Sequence, residues 1–300
     1  MSAGAGSITT HGLGKRYGRV WALKEASIEI PAGRISGLVG ANGAGKTTLL
    51  RLLAGLSRPT TGTMVVADRA PADDPAFLAE VGYLAQDVPL YASWTADDHL
   101  ALGAHLNPTW DDEIARDRLR ALGIPLDRAV RKLSGGMRAQ VGLALALGKR
   151  PRVLLLDEPV AALDPLARRE FLASLVGAVA DGGMTVLLST HLLPDLERVC
   201  DHLVLIADAR PVLCSDIDDL LRSHKLLSGV RSEASISALA RDHRIIQRAD
   251  GGREVRALVE LDGPLLDPAW RVDDVDLEEI VLAYLGRNAD VRRELMAVTA

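Results

Sequence analysis

"GLVGANGAGKTTLLRLLAG", residues 37–55, decides the fold class of this 300-residue chain. Within it, Gly40-Ala41-Asn42-Gly43-Ala44-Gly45-Lys46-Thr47 fits G-x-x-x-x-G-K-[ST], the spacing of a phosphate-binding loop. Glycines let the backbone curl until its N–H groups point at phosphate oxygens, and a helix starting at Thr48 adds the positive end of its dipole. Lys46 is spaced to reach the β- and γ-phosphates of a nucleotide, and Thr47 to give its hydroxyl to Mg²⁺. "ISGLVG" ahead of the loop is a short apolar run ended by glycine, so the loop lies between a buried strand and a helix, as its mechanism requires.

The same strand-then-helix alternation continues outward. "RVLLLDEP" (152–159) and "TVLLST" (185–190) read as buried parallel strands, and Pro165–Val179 and Leu193–Cys200 as helices. "SITTHGL" and "ASIEI" alternate apolar and polar residues, as strands with one exposed face do. The expected fold is α/β, a mainly parallel sheet with an antiparallel β edge. Between Asp97 and Arg150 no strand pattern occurs. "DDEIARDRLRALG" and "GGMRAQVGLALALGKR" read as helices, and about 87–150 forms a helical insert in a domain spanning 1–228. From Gly229 the character changes: "REVRALVEL" alternates, and "LEEIVLAYL" repeats apolar residues at 277, 280, 281, 284 and 285. Residues 229–300 carry 10 Lys+Arg against 14 Asp+Glu and read as a small, acidic α+β appendage.

Composition sets bounds on function. Hydrophobic content of 48% and charged content of 25% suit a globular core. A net charge of −5 argues against nucleic acid as a partner. Cys200 and Cys214, with no Cys-x-x-Cys, fit free thiols in a reducing compartment. The first twenty residues, "MSAGAGSITTHGLGKRYGRV", lack the apolar core of a secretory signal, and no apolar run approaches the ~18 residues of a membrane span.

Two further stretches carry chemistry. "RVLLLDEP" ends a buried strand in an acid pair at the sheet's carboxyl edge, where Asp157 is the natural Mg²⁺ partner. Glu158, the next residue, is placed to accept a proton from an attacking water, which points to hydrolysis and not storage. "KLSGGMRAQ" (132–140) sets two glycines behind Ser134 at a helix start, a second anion-binding terminus in a chain whose first is already committed.

L-S-G-G just ahead of "LLLDEP" resembles the signature of the ATP-binding cassette ATPases, and the resemblance covers residues 7 to about 220. It implies that Gly40 to Thr48 bind ATP and that Tyr17 in "KRYG" stacks on adenine. It further implies that Gln86 in "VGYLAQD" senses Mg²⁺ and the lytic water, that His191 in "LLSTH" contacts the γ-phosphate, and that Asp164 in "AALDP" meets the opposite subunit. Ser134, Gly135, Gly136 and Met137 would then face the phosphate loop of a second ATPase subunit, so the chain completes a site only as a homo- or heterodimer. Ala139 stands where the family usually has Gln after Met-Arg, with Gln140 following, and Val160 and Ala161 replace the common Thr and Ser.

Within the family, residues 86–137 resemble the export-type branch found with multidrug and antibiotic-resistance permeases, and "LDPAWRVDDVDLEEIVLAYLGR" resembles the C-terminal extension of its actinobacterial members. This implies a subunit held at the cytoplasmic face of the cell membrane by separate transmembrane permease subunits. Tyr91 and Trp94 would anchor either the insert to the core or a short permease helix to the insert. The alternative is a soluble cassette ATPase acting on ribosomes or DNA. Ribosome-associated members usually carry two cassettes and DNA-repair members a long coiled coil; this chain shows one cassette and no sustained heptads.

Overall fold

The computed structural model describes residues 6–71, 74–161, 163–230, 232–265 and 267–286. The chain forms two compact units. One takes in the chain to Leu192 and Arg198–Cys214; the other is Leu193–Glu197 and the chain from Ser215 onward.

The first unit holds two sheets. β1 (Ile8–Tyr17), β2 (Val20–Ile30) and β4 (Thr61–Val66) pair in the order β2-β1-β4, antiparallel throughout. The expected antiparallel edge is thus a sheet of its own, and its strands run well beyond the alternating stretches that announced them. β3 (Ile35–Val39), β5 (Val81–Leu84), β6 (Val153–Asp157), β7 (Thr185–Ser189), β8 (His202–Ala207) and β9 (Arg210–Asp216) form the second sheet, ordered β5-β6-β7-β3-β8-β9. Strands β5 to β8 of that order are parallel. β9 returns through the turn Asp208–Ala209, where both residues have positive φ (49° and 63°), the geometry of a tight hairpin. Every residue of β3, β6 and β7 is buried, which is why these strands read as unbroken apolar runs.

Register places the chemistry. Leu38 of β3 and Asp157 of β6 both pair with Ser189 of β7, so the three strands end level. The loop leaving β3 therefore emerges beside the acid pair leaving β6, at the carboxyl edge where α/β sheets bind ligands. α1 (Lys46–Leu53) follows the loop, two residues ahead of the expected start, and buries Leu49, Leu50, Leu52 and Leu53. α2 (Pro75–Glu80) precedes β5, and α6 (Pro165–Gly182) and α7 (Leu193–Val199) lie where helices were expected.

The insert is helical: α3 (Ala96–Leu106), α4 (Asp112–Ala121), a 3-10 turn at Val130–Lys132 and α5 (Gly135–Gly148). Thr95 and Asp98 close a reciprocal capping box at the start of α3. Ala96, Leu100, Ala115, Leu119, Val141 and Ala144 make one apolar cluster. Ile114 stays 43% exposed, because Ala115 and Leu119, four apart, form the buried stripe of α4. That explains the irregular spacing of its larger apolar residues.

The second unit is an antiparallel sheet, β11 (Arg244–Gly251), β12 (Glu254–Glu260), β10 (His224–Val230) and β13 (Trp270–Asp274), in that order. α8 (Ile217–Ser223) and α9 (Glu233–Asp242) accompany it. A last helix covers 277–286, with Leu277, Ile280, Val281 and Tyr284 buried as their spacing predicts. The units part at Cys214/Ser215 instead of the 228/229 change in composition, since β10 is paired along its length to β12. Residues 287–300 of the expected appendage lie outside the described residues. His224 is fully buried: Nδ1 lies 3.0 Å from the Leu220 carbonyl and Nε2 3.1 Å from the Tyr284 hydroxyl, and burial pushes its pKa below the usual 6.5. No helix among the described residues is long and apolar enough to cross a membrane.

Candidate active site

The phosphate loop walls a cleft of about 690 Å³, lined by Ala22, Gly40 to Gly43, Gly45, Lys46, Thr47, Thr48, Gln86, Glu158 and His191. Two glycines are dictated by packing. A Cβ at Gly40 would sit 2.4 Å from the Ile206 carbonyl oxygen, and one at Gly45 2.4 Å from that of Ala22; Gly45 also has φ +112°. Ala44 turns away from the cleft into the core. Gly45 is the N-cap of α1 and brings no side-chain oxygen, so the helix's first N–H groups have no side-chain cap. Lys46 is only 6% exposed; its Nζ donates to the carbonyls of Gly40 (2.8 Å) and Ala41 (3.3 Å) and lies 3.5 Å from Glu158 Oε1.

Glu158 stands in the left-handed region, φ +45°, costly for a residue with a side chain. Ser189 holds it there. The Ser189 hydroxyl donates to Asp157 Oδ1 (2.9 Å) and accepts the Glu158 N–H (2.9 Å). The turn aims the Glu158 carboxylate into the cleft, where its other oxygen lies 3.2 Å from His191 Nδ1. A carboxylate flanked by an ammonium and an imidazole, facing a loop built for phosphate, can accept a proton from a water at that phosphate.

Asp157 faces a neighbouring cleft of about 360 Å³ that shares Thr47 and Gln86 with the first. The Tyr83 hydroxyl joins it there, its pKa pushed up to about 12 by burial and then by the Asp157 charge, so it stays protonated beside that carboxylate. Thr47, Gln86 and Asp157 are hard oxygen donors of the kind Mg²⁺ takes. Among the described residues no group of three or more His, Cys, Asp or Glu is placed to hold a metal ion. Tyr83 and Ser189 lie inside "VGYLAQD" and "LLSTH" but are not the residues those motifs single out, and Ala22 lies in no motif.

The remaining expected residues line neither cleft. Ser134 caps α5, its hydroxyl accepting the Met137 N–H (3.2 Å), and Gly135, Gly136 and Met137 open that helix. A Cβ on Gly136 would come 3.1 Å from Cβ of Ala167 on α6. Asp164 caps α6 by accepting from the N–H groups of Leu166 and Ala167, 3.0 Å each. Tyr17 is exposed with the Lys15 ammonium 5.2 Å from its ring centre. Tyr91 and Trp94 are 60% and 38% exposed, their rings 4.8 Å apart. Both rings lie against buried His99, whose Nε2 accepts the Tyr91 N–H (2.9 Å) while Nδ1 donates to the Thr95 carbonyl (2.7 Å).

A phosphate loop at the carboxyl edge of a buried parallel sheet, with an acid pair ending the adjacent strand, defines a phosphate-loop nucleotide hydrolase. The family model for ABC transporters matches residues 23–161. The phosphonates import ATP-binding protein PhnC 1 of Natronomonas pharaonis is 39% identical over 217 residues, 69% of this chain and 92% of that one. The probable multidrug ABC transporter ATP-binding protein YbhF of Escherichia coli is 40% identical over 206 residues, 66% of this chain and 36% of that longer protein. A solved ATP-binding subunit of an ABC transporter superposes with a TM-score of 0.66 at 28% identity, covering 72% of this chain and 92% of that one. The chain belongs to the ATP-binding subunits of ABC transporters, and it is an ATPase.

Proposed function

We propose that this chain powers a separate membrane permease in the export direction, working at the cytoplasmic membrane face as one half of a head-to-tail ATPase dimer. The observation that carries the reading is the convergence of Lys46, Gln86, Glu158 and His191 on one cleft beneath the phosphate loop. In this reading the loop N–H groups and Lys46 hold the β- and γ-phosphates, and Tyr17 stacks on adenine. Thr47, Gln86 and Asp157 would hold Mg²⁺, which when bound neutralises phosphate charge. Glu158 takes a proton from the water that attacks the γ-phosphorus, and His191, hydrogen-bonded to Glu158, fixes that carboxylate and meets the γ-phosphate. Ser134 to Met137 line neither of the two clefts described above, which supports their service to a second subunit's nucleotide, with Asp164 at the same contact.

Export is supported by the resemblance of residues 86–137 to the export-type branch and by the multidrug relative. The phosphonate relative is named for import, and an importing permease is the second reading. The exposed Tyr91–Trp94 pair supports a permease docking point. The decisive experiment is Glu158→Gln, which keeps shape and loses proton acceptance. Turnover falls about 10²–10⁴-fold, ATP binding persists, and an ATP-loaded dimer accumulates in gel filtration. Turnover equal to the unmodified chain overturns the assignment.

A further inference from the structure

Val88 lies two residues beyond Gln86 and has φ +42°. Two rules oppose this conformation. A β-branched residue is a genuine outlier in the left-handed region, and the residue before a proline, here Pro89, is pushed toward extended backbone. The turn is closed by the Val88 N–H donating to the Ala85 carbonyl (3.1 Å), with Gln86 and Asp87 at its tip. What holds Val88 there is a gap in α5. A Cβ on Gly142 would come 2.6 Å from Val88 Cγ1 and 2.8 Å from Leu84 Cδ1. Both ends of the segment bearing Gln86 are therefore seated on the same glycine. The Leu84 end is flexible, but a valine side chain has few alternative rotamers, so the Val88 contact cannot slip aside.

Gly142 lies eight residues along α5 from Ser134, about 12 Å of continuous helix. Gly142 is the seat on which the turn carrying Gln86 into the nucleotide cleft stands. We propose that Val88, lodged at Gly142, is a positioning residue that holds Gln86 in that cleft. The inference rests on the role given above to Gln86.

The test uses the full chain, with ATPase rate and fluorescent-ATP affinity measured side by side. Gly142→Ala drives Val88 off its seat. Turnover drops about 10- to 100-fold, the scale of an ångström of misplacement at a reacting centre, while ATP affinity stays the same. In a Val88→Ala background the new methyl meets no γ-carbon, so Gly142→Ala costs little beyond what Val88→Ala costs alone. In a Gln86→Ala background, Gly142→Ala costs nothing further. Full turnover in Gly142→Ala, or an undiminished further loss in either the Val88→Ala or the Gln86→Ala background, overturns the link. Should Gly142→Ala fail to fold, Val88→Gly suits the backbone and still empties the seat, and unchanged turnover there is equally fatal. If Gln86→Ala by itself leaves turnover intact, the role of Gln86 falls and this inference with it. An undiminished further loss in the Val88→Ala background, with Gln86→Ala itself impaired, removes the link alone.

Discussion

The chain contains two glycine-rich entries into a helix, and they are finished differently. At α1 the cap is Gly45, no side chain satisfies the first N–H groups, and Lys46, Glu158 and His191 close around them. At α5 the cap is Ser134, which satisfies the Met137 N–H itself, and neither of the two clefts described above forms about it. In the proposed dimer the first is an anion site assembled within one subunit, and the second a surface that supplies polar groups to a second subunit's site. A helix N-terminus thus gains its meaning from the company the fold gives it, and substitutions that treat the two ends unequally can break the comparison.

Among changes at the two helix ends, Lys46→Ala has the largest expected effect. It removes charge-assisted bonds to phosphate and lowers ATP affinity about 10- to 100-fold, read by equilibrium binding of labelled ATP, with turnover lost in proportion. Ser134→Arg comes next: ATP affinity of the single subunit stays within about twofold, because hydrogen bonds at α5 do not reach that cleft. The ATP-dependent dimer of the Glu158→Gln chain disappears from light scattering once this change is added. Equal loss of ATP binding in both variants would sink the two-subunit arrangement. Tyr91→Ala with Trp94→Ala leaves basal ATPase and folding intact, since both side chains are exposed, and abolishes co-purification with the permease; loss of basal activity would mark the pair as structural instead.

The smallest effect falls on the second unit, away from both helix ends. Burial lowers the pKa of His224, so the unfolded chain binds more protons below the ordinary value of 6.5. Stability is therefore full above pH 6.5 and drains as pH falls toward and through the folded-state value. Melting curves at pH 7.5 and 5.5 should show a drop, about 4–8 °C for each kcal/mol lost in a unit of this size, and His224→Gln should flatten it.

What was legible in the sequence is what lies consecutively in it. Gly40 to Thr47 and Asp157–Glu158 carry their chemistry in adjacent residues, and the buried strands ahead of them read as apolar runs. Ser189 acts through pairing across β7, so no spacing in its own segment announces it. β5 is four residues, too short to show a period, and α3 carries small residues and few large apolar ones. The strain at Val88 runs against local preference, since Val-Pro asks for extended backbone and tertiary packing overrides it. The unit boundary fell early because β10 belongs by hydrogen bonding to a sheet whose other strands come later.

The bare glycine cap of α1 leaves the end of that helix to be completed by phosphate. A ligand that binds only the folded state adds RT ln(1 + [L]/Kd) to stability, about 2.7 kcal/mol at a hundredfold excess over Kd. Nucleotide is therefore a structural constituent of this subunit as well as its substrate. Its resistance to heat and proteolysis rises and falls with the supply of the fuel it consumes.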